Sequence, residues 1–276
     1  MTMLASWVGI DTHGIASAYL LADSRFTWDL GCRNEHFDYG KKVFFSKKYP
    51  EIMGYSGDVL FPTVVISQIM EMIDSGLLFE ASTDCHTKKE LILDILRREL
   101  ERYPKQCISN IIQIVYLTRD TLFCGYPNFY VYLFTWNKNG KWEVQKKELP
   151  EKSGLICVLG SGSQEFKNNY DKYKNGNNSD TSRSVYHCFV DTLDLMSDPF
   201  CGGAPQMVGI YRKPNSSGRS FGIYYRNKKF VFGLEMKNSI DYNNIEWRNE
   251  LFELIDGNTN SRLSGAQRQP NIDKYK

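Results

Sequence analysis

Apolar and polar positions change their period several times along the chain, and each change predicts an element. Residues 3–10 and 15–22 are apolar runs on either side of Asp11, Thr12, His13 and Gly14. Strand-like runs around a short polar turn containing glycine predict a β-hairpin, which sets Thr2 beside Asp23 and Arg25 at its open end. Residues 26–39 keep no sustained period and read as an irregular, aromatic surface loop. Short strands are predicted at 42–45 and 51–55, with a turn at 46–50. Between 62 and 78, Val65, Ile66, Ile69, Met70, Ile73 and Leu77 recur at helical spacing. That segment is apolar over most of its surface and is predicted to be a buried helix. Residues 87–102 form a second helix, with Leu91, Ile92, Ile95, Leu96 and Leu100 on one side and charge on the other. The charged face puts it outside the first helix or at its edge, and Pro104 ends it.

Strands follow at 111–118, 130–136 and 142–149, the last two joined by a turn at 137–140. Another, at 155–159, runs into Gly160, Ser161, Gly162 and Ser163. Helices at 163–174 and 185–196 are separated by a polar loop at 175–184; the later one carries Val185, Phe189, Leu193 and Met196. After a tight loop at 197–203, strands at 207–213, 221–226 and 229–236 close the pattern. Residues 245–255 are predicted as a short amphipathic helix. From 256 the chain has little apolar content and reads as a disordered tail.

Helices thus come in consecutive pairs between groups of strands, which excludes a doubly wound βαβ fold. The order predicts an α+β protein, a four-layer αββα sandwich of two antiparallel sheets with a helical layer on each outer side. Residues 1–240 make one domain and 241–276 a C-terminal extension. No internal repeat is present.

Bulk chemistry narrows the function. A net charge of +2 over 276 residues gives no case for a nucleic-acid surface. No apolar run approaches the roughly 20 residues that span a membrane, and the start lacks the features of a secretory signal. Cys32, Cys85, Cys107, Cys124, Cys157, Cys188 and Cys201 are scattered, odd in number and without a CxxC pair. That usage indicates neither a disulfide framework nor a zinc site and suits a reducing cytoplasm. His13, His36, His86 and His187 are irregularly spaced, so no metal and no cofactor is expected.

Several short motifs then fall between these elements in a telling order: Thr2 at the head of the first strand, Ala22-Asp23-Ser24-Arg25 after the second, and Lys42-Val43 opening the next. Ser56-Gly57-Asp58 precedes the first helix, Gly160-Ser161-Gly162 the third, and Asp198-Pro199-Phe200-Cys201-Gly202-Gly203 follows the fourth. In these motifs the chain resembles the β-type subunits of the proteasome and their bacterial proteasome-like relatives, which are N-terminal-nucleophile hydrolases with an αββα sandwich. The resemblance covers roughly residues 2–236. Cys201 stands where the family usually has Ser. The stretch from Thr2 to Asp23 is longer than the family's usual spacing; Ser6 as first residue would restore it, but only after cleavage behind Ala5.

The resemblance implies a threonine-type peptidase. Removal of Met1 would leave Thr2 with a free α-amine beside a hydroxyl nucleophile. That amine, with a reference pKa of about 8, would serve as the base. Lys42 would lower the hydroxyl pKa by its charge, and Asp23 would orient Lys42. The Gly57 N–H would face the developing oxyanion, while Ser161, Asp198 and Cys201 would hold the amine and relay protons. The absence of a long segment before the first strand argues against the non-catalytic gating type of subunit. Family likeness also implies a peptide or unfolded-protein substrate, a homo-oligomeric ring and an ATP-dependent unfoldase partner, with no nucleic acid and no membrane. Other readings are an amidohydrolase of the same superfamily acting on a small amide, and a catalytically inactive ring subunit. Each residue alone also has an ordinary reading: Asp23 as a turn cap, Lys42 as a solvated cation, Gly57 and Gly160 as turn formers, and Cys201 as a small buried side chain.

Overall fold

The computed structural model describes residues 2–31, 33–108, 110–120, 126–138 and 140–267. In chain order, β1 (Leu4–Asp11) and β2 (Gly14–Ala22) form the opening hairpin, followed by β3 (Phe26–Asp29), β4 (Asn34–Phe37), β5 (Val43–Phe45) and β6 (Glu51–Gly57). Helices α1 (Leu60–Asp74) and α2 (Cys85–Arg102) precede β7 (Ile112–Arg119), β8 (Phe129–Trp136), β9 (Trp142–Lys147) and β10 (Gly154–Leu159). Next come α3 (Ser163–Lys174) and α4 (Ser182–Asp194), then β11 (Gln206–Tyr211), β12 (Arg219–Tyr225), β13 (Lys228–Val231), β14 (Leu234–Glu235), β15 (Glu246–Arg248) and β16 (Leu254–Ile255).

These elements build an α+β, four-layer αββα sandwich. One sheet runs β10-β1-β2-β11-β12-β13-β14, with β15 joined to β12 and β16 to β15; the other runs β5-β6-β7-β8-β9. Leu4, Leu20, Val43, Ile52, Val115, Val131 and Val208 fill the space between the sheets. On the outer side of the first sheet, Trp7, Leu21 and Met207 pack against Phe166 of α3 and Val185 and Phe189 of α4. On the outer side of the second, Tyr55, Ile114 and Phe134 pack against Phe61 and Ile66 of α1 and Ile92 and Leu96 of α2. Strand β1 is therefore covered on both faces, with Leu4 and Val8 turned to the partner sheet and Ala5 and Trp7 to the helices. That is why its sequence is a continuous apolar run, not an alternating one.

Several expectations are corrected. Residues 26–39 are not an irregular loop: β3 and β4 pair Phe26 with Phe37 and Trp28 with Glu35 in a two-stranded ribbon outside both sheets. Of the two places expected for α2, outside α1 or at its edge, the second holds: the two share one layer, because Ile92 and Leu96 reach the sheet core directly. Helix α1 is buried on one side only, with Leu60 and Val64 in solvent. It ends at Asp74, before Leu77. The strand expected at 229–236 is broken by Phe232 and Gly233, both at positive φ. No helix forms at 245–255. There β15 pairs parallel with β12, setting Trp247 opposite Gly222, and β16 pairs back onto β15. The missing side chain at Gly222 leaves room for the Trp247 indole, which strand addition buries almost completely. The parallel β12–β15 pair also makes the larger sheet mixed. Residues 256–267 are held, in part by Asp256, which accepts from Asn258 and Thr259; residues 268–276 of the predicted tail, and Asn139 of the 137–140 turn, lie outside the described residues.

Candidate active site

The hairpin register decides where the start of the chain lies. Leu4 pairs with Ala22, so Met3 comes opposite Asp23. The Asp23 N–H donates to the Met3 carbonyl at 3.1 Å, and the Met3 N–H donates to Asp23 Oδ1 at 3.0 Å. Lys42 Nζ donates to the same Oδ1 at 2.7 Å, and both side chains are 0% exposed. Asp23 Oδ2 accepts from Gly202 N–H at 3.0 Å and Arg25 N–H at 3.2 Å. Four donors thus converge on one carboxylate, which is what a charge without water needs.

Thr2 is 1% exposed. Its N–H points to Ser161 Oγ at 3.4 Å, and its carbonyl accepts from Gly162 N–H at 3.2 Å. Gly160, at φ 89°, turns the chain under Thr2 so tightly that a Cβ there would collide with the Thr2 carbonyl. From Ser161 Oγ the network passes to Cys201 Sγ at 3.6 Å and on to Asp198 Oδ2 at 3.5 Å. Burial, and after it the Asp23 carboxylate, push the Cys201 thiol up to about 12. Cys201 is therefore a neutral thiol that can donate a hydrogen bond, not a thiolate nucleophile.

Of the residues singled out from sequence, Asp23 and Lys42 form one hydrogen-bonded set and Thr2, Ser161, Cys201 and Asp198 another, and the two adjoin through the bonded neighbours Thr2-Met3 and Cys201-Gly202. Gly57 lies at the end of β6, opposite Ile112, with a φ of 100°. A Cβ on Gly57 would strike the Ile111 carbonyl, so its glycine is required by the close approach of β7. Ser6 lies in mid-strand, paired with Leu20 on one side and Cys157 on the other. Its Oγ is buried without a hydrogen-bond partner among the described residues. A start at Ser6 would strip away the Leu4 and Ala5 pairings with Leu159 and Val158 of β10.

Two features were not read from the sequence. Gln206, fully buried at the head of β11, hydrogen-bonds the backbone of Asp23, Gly40 and Lys42. Arg25 grips Asp38 through two bonds of 2.6 and 2.9 Å and donates to the Pro199 carbonyl, tying the ribbon root to the 198–203 loop. The Arg25 guanidinium holds the Asp38 carboxyl below its ordinary range. A polar residue at the head of an otherwise apolar strand, three positions after Gly203, was the available signal for Gln206. Among the described residues no group of three or more His, Cys, Asp or Glu could hold a metal ion. Nor is any described helix long and apolar enough to cross a membrane.

No protein-family model matches the chain, and no curated protein matches it. Solved structures do. Anbu, an ancestral β-subunit, from Yersinia bercovieri superposes with a TM-score of 0.52 at 10% identity, over 79% of this chain and 86% of that one. A Gly-1 mutant of Anbu from Hyphomicrobium sp. strain MC1 gives 0.50 at 13% identity, over 80% and 86%. HslV from Trypanosoma brucei gives 0.44 at 12% identity, over 75% and 99%. The chain has a proteasome-like N-terminal-nucleophile hydrolase fold.

Proposed function

We infer that the chain is a threonine-type peptidase whose nucleophile is Thr2, freed by removal of Met1. The observation that carries this reading is the shared acceptor: Asp23 Oδ1 holds both the Lys42 ammonium and the Met3 N–H. One carboxylate so ties a buried cation to the peptide that follows Thr2. In the reaction the Thr2 hydroxyl attacks the peptide carbonyl while the α-amine takes its proton. The amine then returns that proton to the leaving amine, and water hydrolyses the ester. Lys42 favours the alkoxide by its charge. Ser161, backed by Cys201 and Asp198, holds the amine, and the Gly57 N–H stabilises the oxyanion. The substrate is a peptide or unfolded protein. The working form is a cytoplasmic homo-oligomeric ring served by an ATP-dependent unfoldase.

A second reading, a non-catalytic subunit that keeps the fold, is favoured by one observation: Thr2 and Lys42 are both closed off from solvent. One experiment separates the two. The protein is treated with a covalent inhibitor selective for N-terminal threonine and mapped by peptide mass spectrometry. The peptidase reading expects loss of Met1 and labelling of Thr2. An intact Met1, or labelling at Cys201 instead, would overturn it.

A further inference from the structure

We propose that Gln206 is the positioning residue of the Asp23–Lys42 pair, a single amide that sets both partners from behind. This rests on the reading of that pair as part of a hydrolase site. Gln206 is 0% exposed and lies opposite Ala22 on the neighbouring strand. Its Oε1 accepts the Lys42 backbone N–H at 2.9 Å. Its Nε2 faces three acceptors: the Asp23 carbonyl at 3.1 Å, Ser24 Oγ at 2.8 Å and the Gly40 carbonyl at 2.7 Å.

The bookkeeping of donors fixes the orientation of the amide. A carboxamide has two N–H donors and one carbonyl oxygen. Only the orientation with Oε1 toward the Lys42 N–H satisfies the single donor on one side and the cluster of acceptors on the other. Ser24 sends its own hydroxyl proton to the Ala204 carbonyl at 2.6 Å, which leaves its oxygen free to accept. The amide therefore touches the backbone of both ion-pair residues and the turn that leads into Lys42. Asp23 directly follows β2 and Lys42 directly precedes β5, and those strands belong to different sheets, so their separation is not set by a shared ladder. One main-chain bond, from the Gly40 N–H to the Ser24 carbonyl at 2.8 Å, joins the two segments, and Gln206 adds a side-chain bridge that reaches Asp23 and Lys42 themselves.

Asp23 and Lys42 are both without water, so neither can swing to a solvent partner if the spacing drifts. A side chain that fixes the backbone beneath each of them sets the distance between their charges, and that distance sets how strongly Lys42 acts on a neighbouring hydroxyl. Met in place of Gln keeps the length and removes both the acceptor and the donors. The ion pair then loosens while the apolar packing of β11 stays filled.

The test follows Lys42 directly, by NMR of the full chain with isotope-labelled lysine, alongside the rate of Thr2 labelling by the covalent inhibitor. Gln206→Met is compared with Thr192→Val, which removes another fully buried polar group, one bonded to Asn169 on the helical layer. The expected result is a shifted, faster-exchanging Lys42 ammonium signal in Gln206→Met alone. Labelling should also slow by on the order of tenfold to a hundredfold with inhibitor affinity unchanged. Equal loss of thermal stability in the two variants with an unmoved Lys42 signal would overturn the proposal. If Gln206→Met does not fold, Gln206→Glu serves, since its neutral acid keeps the acceptor and one donor. Its Lys42 signal should approach that of wild type as pH falls, and a signal independent of pH counts against the proposal. The two readings fail separately. An unlabelled Thr2 in wild type with a displaced Lys42 in Gln206→Met removes the hydrolase and keeps the positioning role. A labelled Thr2 with an undisturbed Lys42 removes the positioning role alone.

Discussion

Asp23 shows how much one side chain can be asked to hold. Its carboxylate accepts from Lys42, Met3, Gly202 and Arg25 without solvent. Asp23→Asn would leave Lys42 buried without its counter-charge, a loss of about 3–5 kcal/mol. Chemical denaturation should read that loss, together with disappearance of Thr2 labelling. Gly160→Ala should act on the same seat by another route. A side chain at a positive φ is strained by about 1–2 kcal/mol, and its Cβ would also drive the Thr2 carbonyl away from Gly162. A lowered melting temperature with loss of labelling is expected; unchanged labelling would separate the Gly160 turn from the chemistry. Much of this neighbourhood was legible in the sequence, because Asp23, Lys42, Ser161 and Asp198 sit in short motifs at the ends of strongly patterned elements. Gln206 was not. An amide carries no motif, and its work is done through backbone atoms whose positions only the fold defines.

Among the elements, strands and helices with a long, clear period were read correctly, and those that depend on a distant partner were not. The ribbon of β3 and β4 is an example. Trp28 is 51% and Phe37 45% exposed, so no burial pattern announces it; Phe26 against Phe37 and the Arg25–Asp38 grip hold it instead. The segment around Trp247 failed for the opposite reason. Its apolar spacing suits a helix, but Gly222 and Gly257 leave a slot that only the indole fills. The Trp247 Nε1–H donates to the Tyr242 carbonyl at 2.5 Å. Trp247→Ala should cost about 3–5 kcal/mol, measurable by denaturant titration. A loss below about 0.5 kcal/mol, the size seen for surface changes, would mean that the C-terminal strands are not integral to the domain.

On the scale of the whole molecule, the pairing of helices and the runs of strands specified the sandwich, since each layer buries a face of the next. One buried base links that architecture to pH. His187 lies within α4, beside Arg183, which donates to its Nε2 at 3.4 Å. Burial, then the Arg183 charge, lower its pKa to about 4, against about 6.5 in an unfolded chain. The depressed value means that the unfolded state binds the proton first. Stability from this group is complete above about pH 6.5 and is lost as pH falls toward about 4, by roughly 3 kcal/mol in all. Unfolding free energy measured between these limits should fall less steeply in His187→Gln; an identical acid slope would show that another group governs it.

The seat of Thr2 lies 159 residues downstream of it. A ribosome adding about 5–20 residues per second needs on the order of ten to thirty seconds to deliver that stretch. Throughout that interval the leading amide has nothing to dock onto and stays within reach of any aminopeptidase waiting at the exit tunnel. Once Gly160, Ser161 and Gly162 emerge, the Thr2 N–H and carbonyl are taken up by Ser161 and Gly162. A trimming enzyme that needs an undocked end would act in that interval, and slower elongation would then raise the share of trimmed molecules.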